Sequence, residues 1–277
     1  VREWQADVYR RPLQDEAGNA LWELVVCEGD RALLIAACPQ PNLSAAWLTG
    51  QLTTAINLHG KPDRLLVFRP QSLSLLEVAT EPLNISVQGS RHTPALKALL
   101  QHRADDYPTL PNYTGQPYDP IALDRPPPVP LSDALWGDRW RFAAIPSSDF
   151  MLAFAEKPIP IRSTPDRFLP QQVGLASTTP IPGVVIDGGR ASMRLARWLQ
   201  DQNPVAVQYV PGAPDGLVMD TGLVDRWILT TFDDADVGAA GQTYQQRLAE
   251  SNGLHFLLIQ PDDSGITYTA LWLLRSP

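Results

Sequence analysis

Lysine and cysteine are scarce in this sequence, and long apolar runs are absent. Three lysines (Lys61, Lys97 and Lys157) stand against 19 arginines in 277 residues. Arginine suits planar, two-pronged contacts to phosphate and stacking on bases, although a GC-rich coding sequence raises arginine use everywhere. Cys27 and Cys38 each lie in an apolar, strand-like run and read as buried free thiols rather than a disulfide. Two cysteines and four scattered histidines do not make a standard zinc site, so no metal is expected. No nucleotide-binding or other cofactor fingerprint is complete, so no cofactor is expected either. The longest apolar stretch, residues 254–259, is strand-sized, which predicts no membrane insertion. There is no Gly-x-Ser-x-Gly elbow, and neither cysteine has an activating neighbour, so nucleophilic catalysis has no signature. The chain reads as a binder rather than an enzyme.

What is present is an acidic, core-forming chain of mixed α/β class. Apolar residues make up 44% of it, enough for a buried core, and its length predicts two domains. A net charge of −8 argues against nucleic-acid binding through dense positive charge but leaves room for a local basic patch. The first residues, from Val1 to Asp7, have neither the apolar core of a signal peptide nor the acid-poor character of a transit peptide, which predicts a cytoplasmic protein.

Periodicity predicts strands over residues 4–10, 20–26 and 32–38, with a hairpin at Glu28-Gly29-Asp30. Helix 45–58 opens at Ser44 and ends at Gly60; strand 65–68, helix 72–79, strand 84–87 and helix 94–103 follow. This β-β-β-α-β-α-β-α order resembles the ribonuclease H-like fold. Nucleases of that fold need clustered carboxylates to hold metal ions. Here Asp7 stands on the first strand, helix 45–58 has no acid, and Arg69 follows the next strand, so the catalytic acids are missing. Eight prolines in residues 108–130 predict an extended crossover. The expected division is therefore an N-terminal α/β domain over 1–107, a proline-rich crossover with a Trp/Arg segment over 108–182, and a C-terminal α/β domain over 183–277. In the last, strands are expected at 183–187, 205–210, 216–219 and 226–232, helices at 191–200 and 237–250, and a hairpin of 254–259 with 266–274.

Three features invite a chemical reading. At Gly188-Gly189 a strand runs into a helix, and free backbone N–H groups there would suit an anion such as phosphate. Arg190, Arg194 and Arg197 follow at i, i+4 and i+7, within about 60° on a helical wheel, either a phosphate-facing stripe or a solvated face. Trp136, Arg139, Trp140 and Arg141 interleave aromatic and basic groups, a pattern able to stack unpaired bases, though tryptophans also anchor cores. The pairs Asp233-Asp234 and Asp262-Asp263 read as turn chemistry, and His255 as a core or strand-end histidine or a base.

Several segments carry a family resemblance. They are Trp22-Glu23-Leu24-Val25-Val26-Cys27, Val67-Phe68-Arg69-Pro70-Gln71-Ser72-Leu73-Ser74-Leu75, Leu135-Trp136-Gly137 and residues 182–199. With them stand Ala213-Pro214-Asp215-Gly216-Leu217, Gly222-Leu223-Val224-Asp225-Arg226-Trp227, Gly253-Leu254-His255-Phe256-Leu257, Pro261-Asp262-Asp263-Ser264-Gly265 and Trp272-Leu273-Leu274. Together, over nearly the whole chain, they resemble the TAB/ATAB family of cyanobacteria and chloroplasts. That resemblance implies binding of single-stranded RNA at the 5′ leader of photosystem I reaction-centre mRNA, translation activation and photosystem biogenesis. The lack of a transit-peptide pattern fits a cyanobacterial member of that family, and the acidic balance calls for protein partners, from the translation machinery or photosystem assembly, beside the RNA. The alternative is an assembly factor for photosystem biogenesis that meets proteins without contacting RNA. The closing Trp272-Leu273-Leu274 matches the family's C-terminal signature and either packs in the last hairpin or contacts RNA. No family motif assigns RNA contacts, so Gly188, Gly189, Trp136 and the arginines rest on local chemistry alone.

Overall fold

Trp4, Ala6 and Val8 alternate along β1 (Glu3–Gln14) and enter one apolar core, while the other side of the strand buries Asp7 and Arg11. The computed structural model describes residues 1–277, which divide into the units Val1–Asp124 and Arg125–Pro277. In the first unit β1 pairs antiparallel with β2 (Ala20–Glu28), and β2 with β3 (Arg31–Pro39). Helix α1 (Ala45–His59) then leads to β4 (Arg64–Val67), α2 (Pro70–Thr80), β5 (Ser86–Gly89) and α3 (Pro94–Asp106). β4 lies parallel to β1 and β5 to β4, so the sheet order is β3-β2-β1-β4-β5. Three antiparallel strands followed by strands alternating with helices is the arrangement expected. Ser44 caps α1 by accepting the Trp47 N–H at 3.1 Å. α1 and α2 cover one face with Leu48, Leu52 and Leu76, and α3 covers the other with Leu96 and Leu100.

The proline-rich stretch is not a free crossover. Gln14 donates its N–H to the Asn112 carbonyl (3.1 Å) and Thr114 donates to Pro12 (2.9 Å), so the chain beyond α3 folds back along β1. Prolines cannot donate, but their carbonyls accept, and the Pro120 carbonyl takes a bond from Arg69 at 2.8 Å. The expected boundary after residue 107 therefore moves to Asp124.

In the second unit β6 (Val129–Pro130), β7 (Arg139–Pro146), α4 (Ser147–Ala155) and β8 (Ile161–Ser163) precede β9 (Pro180–Asp187). Helix α5 (Ser192–Gln202), β10 (Pro204–Val210), β11 (Asp215–Thr221), β12 (Asp225–Phe232), α6 (Ala235–Glu250), β13 (Leu254–Gln260) and β14 (Ala270–Arg275) complete it. Two sheets form, β10-β11-β12-β6 and β7-β9-β13-β14-β8. The second is buried on both faces: Val184, Leu257 and Trp272 enter one core, and Val185, Phe256 and Leu271 another. That explains the near-continuous apolar runs of β9, β13 and β14. Of the expected crossover 108–182, the part from Arg125 onward thus supplies strands to both sheets of this unit, and the part before it belongs to the first unit. The last hairpin is shorter than expected, because β14 begins at Ala270, not at residue 266. Trp272, Leu273 and Leu274 pack into the cores. No helix is long and apolar enough to cross a membrane.

Candidate nucleic-acid interface

In the first unit, the position a metal-binding acid would take is occupied by a buried ion network. Asp7 accepts from Arg69 Nε at 2.9 Å and from Arg11 Nη2 at 3.1 Å. Arg11 also reaches Glu23 (3.3 Å) and Tyr118 (2.8 Å), while Arg103 and Tyr107 close on Glu23. Burial works to lower the Arg11 pKa, but the charge of Asp7 and the neighbouring groups outweighs it and raises it. Burial lifts Tyr107 above the usual tyrosine range. With Asp7 held by two guanidiniums, this is a paired, buried structural network. Arg11, Glu23, Arg103 and Tyr107 were not singled out in the sequence; their spacing carries no local pattern.

Asp234, Asp262, Asp263 and His255 have local roles. Asp234 caps α6, accepting the Asp236 and Val237 N–H groups at 2.9 and 3.0 Å. Asp262 accepts the Ser264 N–H at 3.0 Å, and Asp263 pairs with Arg139 at 3.3 Å. His255 is fully buried; its Nε2 accepts the Val207 N–H and its Nδ1–H donates to the Gly253 carbonyl, both at 2.9 Å. Burial pushes its pKa down to about 4, so it is a neutral core histidine.

In the second unit, β7 brings together the two candidate groups that lie fifty residues apart in sequence. Arg139 lies opposite Asp187 in the ladder between β7 and β9, and β9 runs straight into the Gly188-Gly189 turn. Gly188 and Gly189 do not offer free amides: they donate to the carbonyls of Gln260 (2.8 Å) and Pro261 (2.9 Å). The Asp138 carboxylate crowds Gly189, and a Cβ on Gly188 would stand 2.6 Å from Ser192 Cα. The turn is therefore a packed junction with an acid beside it, not an anion cradle. Gly189 takes φ +51° and begins a 3₁₀ turn that contains Arg190, so only Arg194 and Arg197 lie on α5 proper.

All three stripe arginines are exposed, while Leu195, Ala196 and Leu199 of the same helix are buried. Arg194 donates to the Ala134 carbonyl; Arg190 and Arg197 meet no partner among the described residues. Arg141 is paired with Asp187 at 3.0 Å. Trp136 is half-buried against the core, and Trp140 packs edge-on to Phe142 with ring centres 5.2 Å apart. The Trp/Arg segment thus anchors its aromatic groups inward and neutralises its two arginines. Asp138 and Asp187, which set the local charge balance, were missed because adjacency across a sheet leaves no sequence spacing.

Comparison with known proteins assigns both halves. Residues 3–103 match the family model described as "RNA-binding protein Tab2/Atab2 N terminal", and residues 118–275 match "RNA-binding protein Tab2/Atab2, C-terminal domain". The chain is 27% identical to "Protein TAB2 homolog, chloroplastic" of Arabidopsis thaliana over 282 residues, covering 99% of this chain and 74% of that protein. The protein of the same name from Zea mays is 27% identical over 287 residues, covering 99% and 71%. Among solved structures, a simian T-cell lymphotropic virus intasome in complex with PP2A regulatory subunit B56 gamma aligns over 40% of this chain and 43% of its own. Its identity is 19% and its TM-score 0.25. The HTLV-2 integrase catalytic core domain in complex with magnesium aligns over 40% and 76%, at 17% identity and TM-score 0.26.

Proposed function

The chain belongs to the Tab2/Atab2 family of RNA-binding proteins, and from that premise we propose that it binds single-stranded RNA and does not transform it. The observation that carries the reading is the match of both family domains in order along one chain. The names of its chloroplastic relatives and the resemblance over the segments quoted above support a finer role. The RNA is the 5′ leader of photosystem I reaction-centre mRNA, and binding activates its translation in support of photosystem biogenesis. In this reading the chain is a cytoplasmic cyanobacterial member, and translation or photosystem assembly proteins join it on the leader.

The uncommitted cations of Arg190 and Arg197, with Arg194 between them, are the strongest local candidates for phosphate contact. Arg139, Arg141 and Trp136 join the strand only if it displaces Asp263 and Asp187 from the arginines. Glycines 188 and 189 shape the junction that presents Arg190. Pairing of Asp7 with Arg11 and Arg69 supports binding without cleavage.

The test is fluorescence anisotropy with a labelled single-stranded leader RNA, comparing the native chain with the triple variant R190E/R194E/R197E. Affinity is expected to fall by at least about tenfold, since three charges are reversed. Unchanged affinity removes α5 from the interface, and no binding by the native chain removes the RNA reading.

A further inference from the structure

β7 is an edge strand: it lies outermost in its sheet and pairs only with β9. The Ser147 N–H bonds to the Thr179 carbonyl at 2.9 Å, in register with the ladder. In an antiparallel pair, bonded and non-bonded positions alternate. Arg139, Arg141, Ala143 and Ile145 therefore spend their backbone groups on β9, and Trp140, Phe142 and Ala144 point theirs outward. Pro146 closes the row, having no N–H.

Beside this edge runs a groove of about 480 Å³, between Phe142, Ala143 and Ala144 of β7 and Ala240, Thr243, Tyr244 and Arg247 of α6. The Tyr244 hydroxyl donates to the Val207 carbonyl and the Thr243 hydroxyl to that of Ala239. What is left uncommitted is the outward backbone of β7 and the half-buried guanidinium of Arg247, which meets no partner among the described residues. Natural edge strands are normally covered, bulged or shortened. This one runs eight residues with continuous pairing to β9 and no bulge.

We propose that the outer edge of β7 is a strand-addition site for an extended segment of a partner protein, with an acidic side chain of that segment set against Arg247. Backbone bonding to Phe142 and Ala144 supplies the affinity of such a mode, and groove contacts supply the selection. The small side chains of Ala144 and Ala240 leave room for an added strand, and the cation selects an acid. A second copy of this chain fits poorly, because β7 itself carries no acid to set against Arg247. This inference goes beyond RNA binding and uses none of the α5 arginines.

The experiment selects ten-residue peptides from a random phage-displayed library against the full chain and measures the synthetic winners. The variants R247Q and A144P serve as controls, their folding checked by circular dichroism. A proline at 144 deletes an outward N–H without deleting a bond to β9. Acidic peptides that bind the native chain, weaken at least about tenfold on R247Q and slow amide exchange at Trp140, Phe142 and Ala144 bear the proposal out. Recovery of no peptide, or only of peptides indifferent to R247Q, overturns it. Protection of the same amides by a single-stranded oligonucleotide in place of peptide also overturns it, giving the edge to RNA. The RNA affinity of R247Q is expected to match the native chain, so this test and that of the α5 arginines fail separately.

Discussion

At the scale of single residues, burial decides chemistry that composition leaves open. His255 illustrates it: a histidine at the head of a strand is a possible base, yet both ring nitrogens are committed to backbone groups. Its pKa is pushed below the ordinary 6.5 to about 4 by burial. The unfolded chain therefore takes up a proton between those values and the native chain does not, so this residue's contribution is complete above pH 6.5 and is lost as pH falls toward 4. At ~1.4 kcal/mol per pKa unit the full effect is about 3 kcal/mol. Urea unfolding from pH 7 to 4 should show a steeper decline for the native chain than for H255Q, which can accept the Val207 N–H without titrating. Parallel curves would mean that His255 is not held neutral. Asp7 carries the opposite lesson. Its place on the first strand was legible, and so was the arginine after the fourth. That the two form one ion pair at 2.9 Å follows only from the parallel pairing of β1 with β4.

At the scale of elements, most helices and strands were legible because their periodicity is local. α1 with its Ser44 cap, the strands β9 and β13, and the apolar face of α5 follow from spacing alone, whereas the burial of β9 and β13 on both faces does not. β7 was not assigned, although Arg139, Trp140, Arg141 and Phe142 alternate as a half-buried strand should; the surrounding prolines hid it. The glycine turn shows where local reading fails. Its N–H groups are free as far as sequence can tell, and only the neighbouring β13 reveals that Gln260 and Pro261 accept them. A substitution separates the two readings. Because a Cβ at Gly188 meets Ser192 Cα at 2.6 Å, G188A should destabilise the chain by about 1–3 kcal/mol through overpacking. RNA affinity, measured well below the unfolding midpoint, should stay within about twofold, because the amide it disturbs is already spent on Gln260. A large loss of affinity with no loss of stability would restore the anion cradle.

At the scale of the whole molecule, the units divide after Asp124, and each has its own cores. A fragment of residues 1–124 should fold cooperatively by itself. One ending at 107 loses Tyr118 and the carbonyls of Pro120 and Ala122, leaving donors of Arg11 and Arg69 unpaired. It should be less stable by roughly 2–4 kcal/mol in urea, at about 1.5–3 kcal/mol per charged hydrogen bond with partial relief from water; equal midpoints would mean that the proline-rich return is dispensable. Charge is the other whole-molecule property, and it limits how RNA can be held. A chain of net charge −8 cannot depend on a broad cationic surface, so its phosphate contacts must be few. On a single strand each contributes about −0.7 to the slope of log affinity against log salt. With Arg190, Arg194 and Arg197 as the contacts, the slope should lie near −2. R190A/R197A should bring it to about −0.7, leaving Arg194 alone to release a counterion. If the native slope is far steeper, Arg139 and Arg141 have left Asp263 and Asp187 to join the strand. If it is steep and unmoved by the double variant, the RNA runs over another face. Either result can be read from two titrations between 50 and 300 mM salt, a range of about sixfold that turns a slope of −2 into roughly a thirtyfold change in affinity.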